Sequence, residues 1–222
     1  MDVSFLVMTV MIAAIAVPLG LWNGRRRKER IAYARQLAAQ YGFNVEPDIR
    51  EPPSQEFDLF TAGGSKQVSF QFWRDDEQDS VFQYRYTTGS GDNKTTYRRT
   101  CTLIALPFAA PHTKIGPEGF WSDIGRMVGV RDIEVESAAF NDQYRVTSDD
   151  ERFAVTLLDQ QMIAWLLSSQ SGRGAIKFEL WGSWLLCVSD QLDLPMLFGF
   201  LDWGQSVRQH LPAVLPSLYP MP

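Results

Sequence analysis

The chain has 222 residues, 45% hydrophobic and 21% charged, with fourteen Phe, seven Trp and seven Tyr; this supplies one globular core and excludes global disorder. Five basic residues (Arg25, Arg26, Arg27, Lys28, Arg30) sit in the first thirty beside Asp2 and Glu29, and removing these from totals of 21 and 26 leaves 16 basic and 24 acidic side chains, about −8 over residues 31–222. A body so acidic repels phosphate backbones, so nucleic acid is not an expected partner.

Val3–Trp22, VSFLVMTVMIAAIAVPLGLW, is twenty residues without a charge. At about 1.5 Å per residue it spans a hydrocarbon layer of roughly 30 Å. Ser4 and Thr9 can bond back to their own helix and Pro18 is tolerated in lipid. Ala14-Ile15-Ala16 imitates a cleavage site, but the cations follow the apolar run in GRRRKER instead of preceding it, the reverse of a leader peptide. Residues 1–23 are therefore expected to be an uncleaved, single-pass anchor in the plasma (inner) membrane. Positive flanks resist translocation, which places the short N-terminus outside and the C-terminal domain in the cytoplasm. Trp22 fits an interfacial depth, and Arg25, Arg26, Arg27, Lys28 and Arg30 set the topology. The same cations can hold anionic headgroups at about 1 kcal/mol each.

Residues 24–45 read as a juxtamembrane stalk helix. Ile31, Ala34, Leu37, Ala38 and Tyr41 form an apolar stripe that packs on the following domain, and Gly42 is a natural C-terminal cap. EPDIREPPS, from Glu46 to Ser54, is a short proline-rich linker. Residues 46–211 form the cytosolic domain. Val68, Phe70 and Phe72 alternate, as do Phe82, Tyr84 and Tyr86; Thr95–Leu106 is a third strand, and DDEQD (Asp75–Asp79) is a solvated hairpin tip. In GPEGFWSDIGRMVGV, Phe120, Trp121, Ile124, Met127 and Val128 share one face of a short helix, which is core, membrane-facing or a partner surface. Asp132–Glu136 and Tyr144–Thr147 read as strands. Ser148–Glu151, SDDE, fits a capping box with Ser148 as cap. Ala175–Leu180 and Trp184–Ser189 read as a hairpin across Gly182-Ser183, and Leu194–Leu211 as a last helix with Asp193 capping and Pro195 in its first turn. Residues 212–222 are a proline-rich tail. The whole is an α+β chain: a transmembrane helix and stalk, then one mostly antiparallel sheet with packed helices.

Signs of chemistry are few. GSGDNKT (Gly89–Thr95) imitates a phosphate loop, but Asn93 stands where the second glycine belongs and both flanks favour strand, so it reads as a hairpin tip. Cys101 and Cys187 lie in apolar runs and read as buried thiols; no metal ligand pattern accompanies His112 or His210. Glu134 and Glu136 share a polar strand face, a weak likeness to a glycosidase pair. No catalytic, cofactor or metal residue is assigned, and the chain is not expected to be an enzyme.

Asp132–Leu167 carries DIEVES (Asp132–Ser137), Phe140-Asn141, Tyr144–Val146 and DDERFA (Asp149–Ala154), and Tyr86–Asp92 reads YTTGSGD. In these runs the chain is similar to uncharacterised actinobacterial single-pass, membrane-anchored proteins, a resemblance that implies no activity. In architecture alone it also resembles the mycobacterial trehalose monomycolate transport factors, which implies service to a cell-envelope lipid exporter. The expected function is an interaction or scaffold domain docking a membrane-protein partner, an accessory subunit without catalysis. The alternative is a sensor of anionic lipid or a small ligand; a hydrolase or transferase ranks third. Lys94→Ala is expected to leave ATP affinity unchanged at background, as checked by a binding isotherm for both proteins.

Overall fold

The computed structural model describes residues 24–53, 56–75, 78–117, 120–121, 132–169 and 177–221. The expected span Val3–Trp22 lies outside them, and among the described residues no helix is long and apolar enough to cross a membrane. Helix α1 (24–41) ends where Phe43 N–H bonds the Ala38 carbonyl at 2.8 Å, closing the last turn across Gly42. Its stripe does pack on the domain: Ala34, Leu37 and Ala38 are buried in the main core. Tyr41 stacks on Phe198 at 4.7 Å and Phe43 meets the same ring tilted at 5.0 Å, tying the end of α1 to the helix that carries Phe198.

The sheet has six strands, all antiparallel: β1 (Asn44–Glu46), β2 (Gly64–Trp73), β3 (Ser80–Thr88), β4 (Thr95–Gly116), β5 (Arg145–Ser148) and β6 (Lys177–Asp190). The expected α+β class with an antiparallel sheet is what forms. A short helix, α2 (Asp58–Thr61), precedes β2. Strand β4 is the spine. It pairs with β6 from Arg99 to Ile115, with β3 along its first half and with β5 at its end. GSGDNKT is the β3–β4 tip, as expected. It turns through a 3-10 segment, Gly91–Asn93, and at Gly89 (φ +77) a Cβ would meet the Asn93 carbonyl oxygen at 2.3 Å, which restricts the position to glycine.

The expectations for β4 and β6 are corrected here. Strand β4 does not end at Leu106: it runs through Pro107 and Pro111, each inside an interval where the β4–β6 register slips, Ala105 to Ala110 and Ala110 to Thr113. Proline lacks the ladder N–H, and a bulge absorbs that loss without ending the pairing. The hairpin expected across Gly182-Ser183 is one continuous strand instead, because Gly182 (φ +56) bends β6 opposite those irregularities without reversing it. The sheet separates two apolar clusters. The larger holds Ile104, Phe153, Leu185, Leu197 and Leu201; the smaller, under α2, holds Phe57, Phe60, Phe82, Tyr84 and Leu186.

Helices α3 (Ala138–Asn141), α4 (Glu151–Leu157), α5 (Gln160–Ser169), α6 (Met196–His210) and α7 (Leu215–Leu218) complete the body. Asp132–Glu136 is not a strand. Ile133 N–H bonds Val146 at 2.8 Å, but the Asn141 carboxamide takes the Val135 groups, accepting from its N–H at 3.2 Å and donating to its carbonyl at 2.7 Å. One side chain thus replaces a neighbouring strand. The α4 cap is Asp150, which accepts from Phe153 N–H at 3.1 Å; the Ser148 hydroxyl turns back to Asp150 N–H at the same distance. Asp193 offers α6 its carbonyl, to Met196 N–H at 2.9 Å, with Pro195 at the cap position. The tail adds one turn, α7, with Leu215 buried and Tyr219 O–H bonded to Asp150 at 3.0 Å.

Asp79, expected in a solvated tip, is 1% exposed. Its carboxylate accepts from Ala105 N–H at 2.9 Å, Gln205 at 3.0 Å and Arg208 at 2.9 Å, joining β3, β4 and α6. Removing one partner of such a pair leaves the other uncompensated. Asp79→Ala is expected to destabilise the fold by about 3 kcal/mol, the lower end for buried pairs because Arg208 stays partly solvated; urea unfolding of wild type and variant measures it.

Candidate functional site

Two polar constellations stand out. The first is a groove of about 500 Å³ between the start of α1 and the sheet. It is lined by Arg26, Arg27 and Arg30 from α1, Arg85 from β3, and Arg98 and Arg99 from β4. Each arrives for a local reason. On α1, positions 26, 27 and 30 bracket one face, since residues three and four apart are neighbours on a helix. On the sheet, Arg85 and Arg98 are directly opposite partners in the β3–β4 register. Beneath them Phe70 sits in a bulge of β2 with φ 52, unusual for a large side chain, and Arg30 lies 4.7 Å above its ring.

The guanidinium partners in the groove differ in kind. Arg27 pairs with Asp48 at 2.9 Å and Arg99 with Asp190 at 2.5 Å. Arg30 donates instead to the Gln83 amide oxygen at 2.8 Å, and Arg85 to that of Gln67. Gln83 is itself fixed, donating to the Leu192 carbonyl at 2.8 Å. Burial draws the Arg30 guanidinium below its usual range; Asp193 offsets part of this and the charge of Arg98 adds to it.

The second constellation lies on the α2 side of the sheet. His112 Nε2 is 2.6 Å from Glu179 Oε1, which also accepts from Asp58 N–H at 2.9 Å; Lys114 Nζ donates to Asp58 Oδ2 at 2.6 Å. Trp181 meets the His112 ring edge-on at 4.8 Å. Asp58, His112 and Glu179 place three potential metal ligands within 4.8 Å of one another. The Lys114 ammonium, however, already supplies a cation to Asp58, and the imidazole is engaged by Glu179, so the quartet balances its own charge. Burial raises Glu179, against its bonds to His112 and Asp58. Burial opposes charge on His112, but the bond to Glu179 and the nearby carboxylates outweigh it and raise its pKa. Both shifts mean that the folded pair holds a proton more tightly than the unfolded chain.

Of the residues assigned from sequence, Arg25, Arg26, Arg27, Lys28 and Arg30 are exposed on α1, three of them in the groove. Trp22, Ile124, Met127 and Val128 lie outside the described residues. Trp121 is buried in the smaller cluster against Gly116, and the half-buried Phe120 packs edge-on to it at 4.9 Å under the Lys177 ammonium. Sequence reasoning read the body only as acidic; Arg85 and Arg98 make a basic patch on the α1 side, and the two-residue alternation of adjoining hairpin strands was the available signal, since it also turns the next residue, Arg99, to the other face over the Tyr97 and Phe120 rings. It also missed the quartet, whose members are scattered from 58 to 179. Cys101 and Cys187 are buried on opposite faces, and burial pushes the Cys187 thiol up to about 12 and that of Cys101 higher.

The quartet's sign can be tested. A raised folded-state pKa contributes stability that is fully present below the unfolded value, 6.5 for histidine, and is lost as pH rises through the folded value. His112→Gln is therefore expected to flatten the decline in stability above pH 6.5, relative to wild type, in urea titrations at successive pH.

No family model and no curated protein matches the chain. Among solved structures it is similar to the crystal structure of the mycobacterial trehalose monomycolate transport factor A, TtfA, at 12% identity and a TM-score of 0.52, over 84% of this chain and 90% of that one. At that identity the likeness is one of fold, and it supports the architectural resemblance drawn from sequence.

Proposed function

We propose that this chain is a single-pass membrane protein whose folded domain is an accessory module of a membrane or cell-envelope complex, acting by docking and not by catalysis. The observation that carries the reading is the shared fold, which extends over most of both chains and belongs on the other side to a transport factor. The uncharged run Val3–Trp22 and the five cations after it support anchoring in the inner membrane with the domain in the cytoplasm. Both thiols are buried and the Asp58–His112–Lys114–Glu179 groups are engaged with one another, which fits a structural role for them.

In this reading the anchor sets position and α1 transmits it. Ala34, Leu37 and Ala38 bind α1 to the body, so the domain is held in one pose and does not trail on a free linker. A partner's surface then meets a preformed face, which lowers the ordering cost of association.

Full-length protein carrying a C-terminal tag, recovered from gently solubilised and cross-linked membranes, is expected to bring down a discrete integral-membrane partner in stoichiometric amount. Quantitative recovery of the chain alone would overturn the reading. A topology reporter fused at the C-terminus is expected to read cytoplasmic.

A further inference from the structure

We propose that the groove between α1 and the β2–β4 face binds a phosphate-bearing anion, gripped by Arg85 and Arg98 from the sheet and by Arg26 and Arg30 from the helix. The binding chemistry stands independently of the docking role; only a lipid source for the phosphate rests on the anchor.

The decisive feature is the Arg85–Arg98 pair. Like charges directly opposite in an antiparallel ladder are destabilising, and among the described residues neither is paired with a carboxylate. The acids nearby are otherwise engaged: Asp48 takes Arg27, Asp190 takes Arg99, and Asp193 acts on Arg30. Elsewhere this fold neutralises a guanidinium with a carboxylate, as Asp79 does for Arg208. For Arg85 and Arg30, Gln67 and Gln83 do the positioning instead, and an amide oxygen orients a guanidinium without cancelling its charge. The Leu192 carbonyl fixes Gln83, so that orientation is built in.

Planar guanidinium forks match phosphate oxygens in pairs, which a point-like ammonium cannot do. A volume of about 500 Å³ suits one headgroup or a small phosphate ester. It is too compact for a track along a nucleic-acid backbone. The ligand class is therefore a phosphate monoester or inorganic phosphate, presented either by an anionic lipid or free in solution.

The test uses the purified full chain in nonionic detergent. The probes are short-chain phosphatidic acid, short-chain phosphatidylcholine, inorganic phosphate and a short single-stranded oligonucleotide. Saturable binding of phosphatidic acid or phosphate is expected, with none of phosphatidylcholine. Arg85→Gln with Arg98→Gln should weaken it about tenfold or more, as loss of charged hydrogen bonds predicts, while the paired Lys substitutions should retain an intermediate affinity. Arg152→Gln, exposed on α4, should change nothing. Tighter phosphatidic acid than phosphate identifies the lipid source, and equal binding identifies the free anion; both uphold the site. No saturable binding, an equal loss in Arg152→Gln, or an oligonucleotide bound more tightly than either phosphate probe overturns it. Without ligand the double Gln variant should melt at or above wild type, since a repulsion has been removed. If it melts below, the exposed single variant Arg98→Gln is read in its place.

Discussion

The β4–β6 ladder is the constraint on which the rest of the structure depends. A strand of 22 residues with two prolines keeps one partner along most of its length, shedding register around Ala110 instead of breaking. Because it holds, one half of β4 can close a hairpin with β3 while the other receives β5. The two polar sites follow from these halves. Arg98 projects into the groove from the first, and His112 and Lys114 project from the second. Losing the ladder at Pro107 would separate the groove from the quartet and leave β6 without its neighbour. The bulged interval is also where the tail docks, since Ala109 N–H bonds the Tyr219 carbonyl at 3.0 Å.

Charge is handled in three ways on this frame. At Asp79 a buried carboxylate is fully hydrogen-bonded, and its cost of desolvation is offset by partners from β4 and α6. In the quartet, two ion pairs share neighbours and a proton, and the buried Glu179 Oε2 is left without a bond. Both arrangements are closed. The groove is open, because the amide partners of Arg30 and Arg85 leave their positive charge uncancelled on a body whose net charge is negative. Closed networks specify a fold, whereas an uncompensated one seeks a ligand.

Much of the fold was legible wherever a local rule decided the outcome. The α1 stripe, its Gly42 cap and the GSGDNKT tip each needed only a few neighbouring residues. The misreadings share a cause: a local rule met a tertiary substitute. Pro107 suggested a strand end, but a bulge absorbed it. Ser148 suggested a cap, but Asp150 had the better geometry, and Gly182 suggested reversal where a bend sufficed. The runs that carry the sequence resemblance turn out to include a folding unit. Phe140 stacks on Tyr144 at 4.7 Å, Asn141 clasps Val135 and Asp150 caps α4. The site was half legible. The α1 cations announce themselves as a run, but Arg85 and Arg98 read as wet-face strand residues until the register sets them opposite each other.

That register connects the groove to the proposed anchor. Arg26 and Arg30 lie three and seven residues beyond Asn23, within about 5 and 10 Å along a helix. With the anchor in place, both would fall near the Debye length of an anionic surface, about 8 Å at physiological salt. The remaining body is acidic and would be repelled from the same surface. Under the proposed anchoring, attraction at one end and repulsion over the rest would form a torque that points the groove at the bilayer. The buried Ala34, Leu37 and Ala38 contacts would pass that orientation to the sheet, because α1 cannot swivel without opening the main core. Pose and ligand chemistry thus have one origin, a cationic helix face docked beside two arginines that the β3–β4 register forces together.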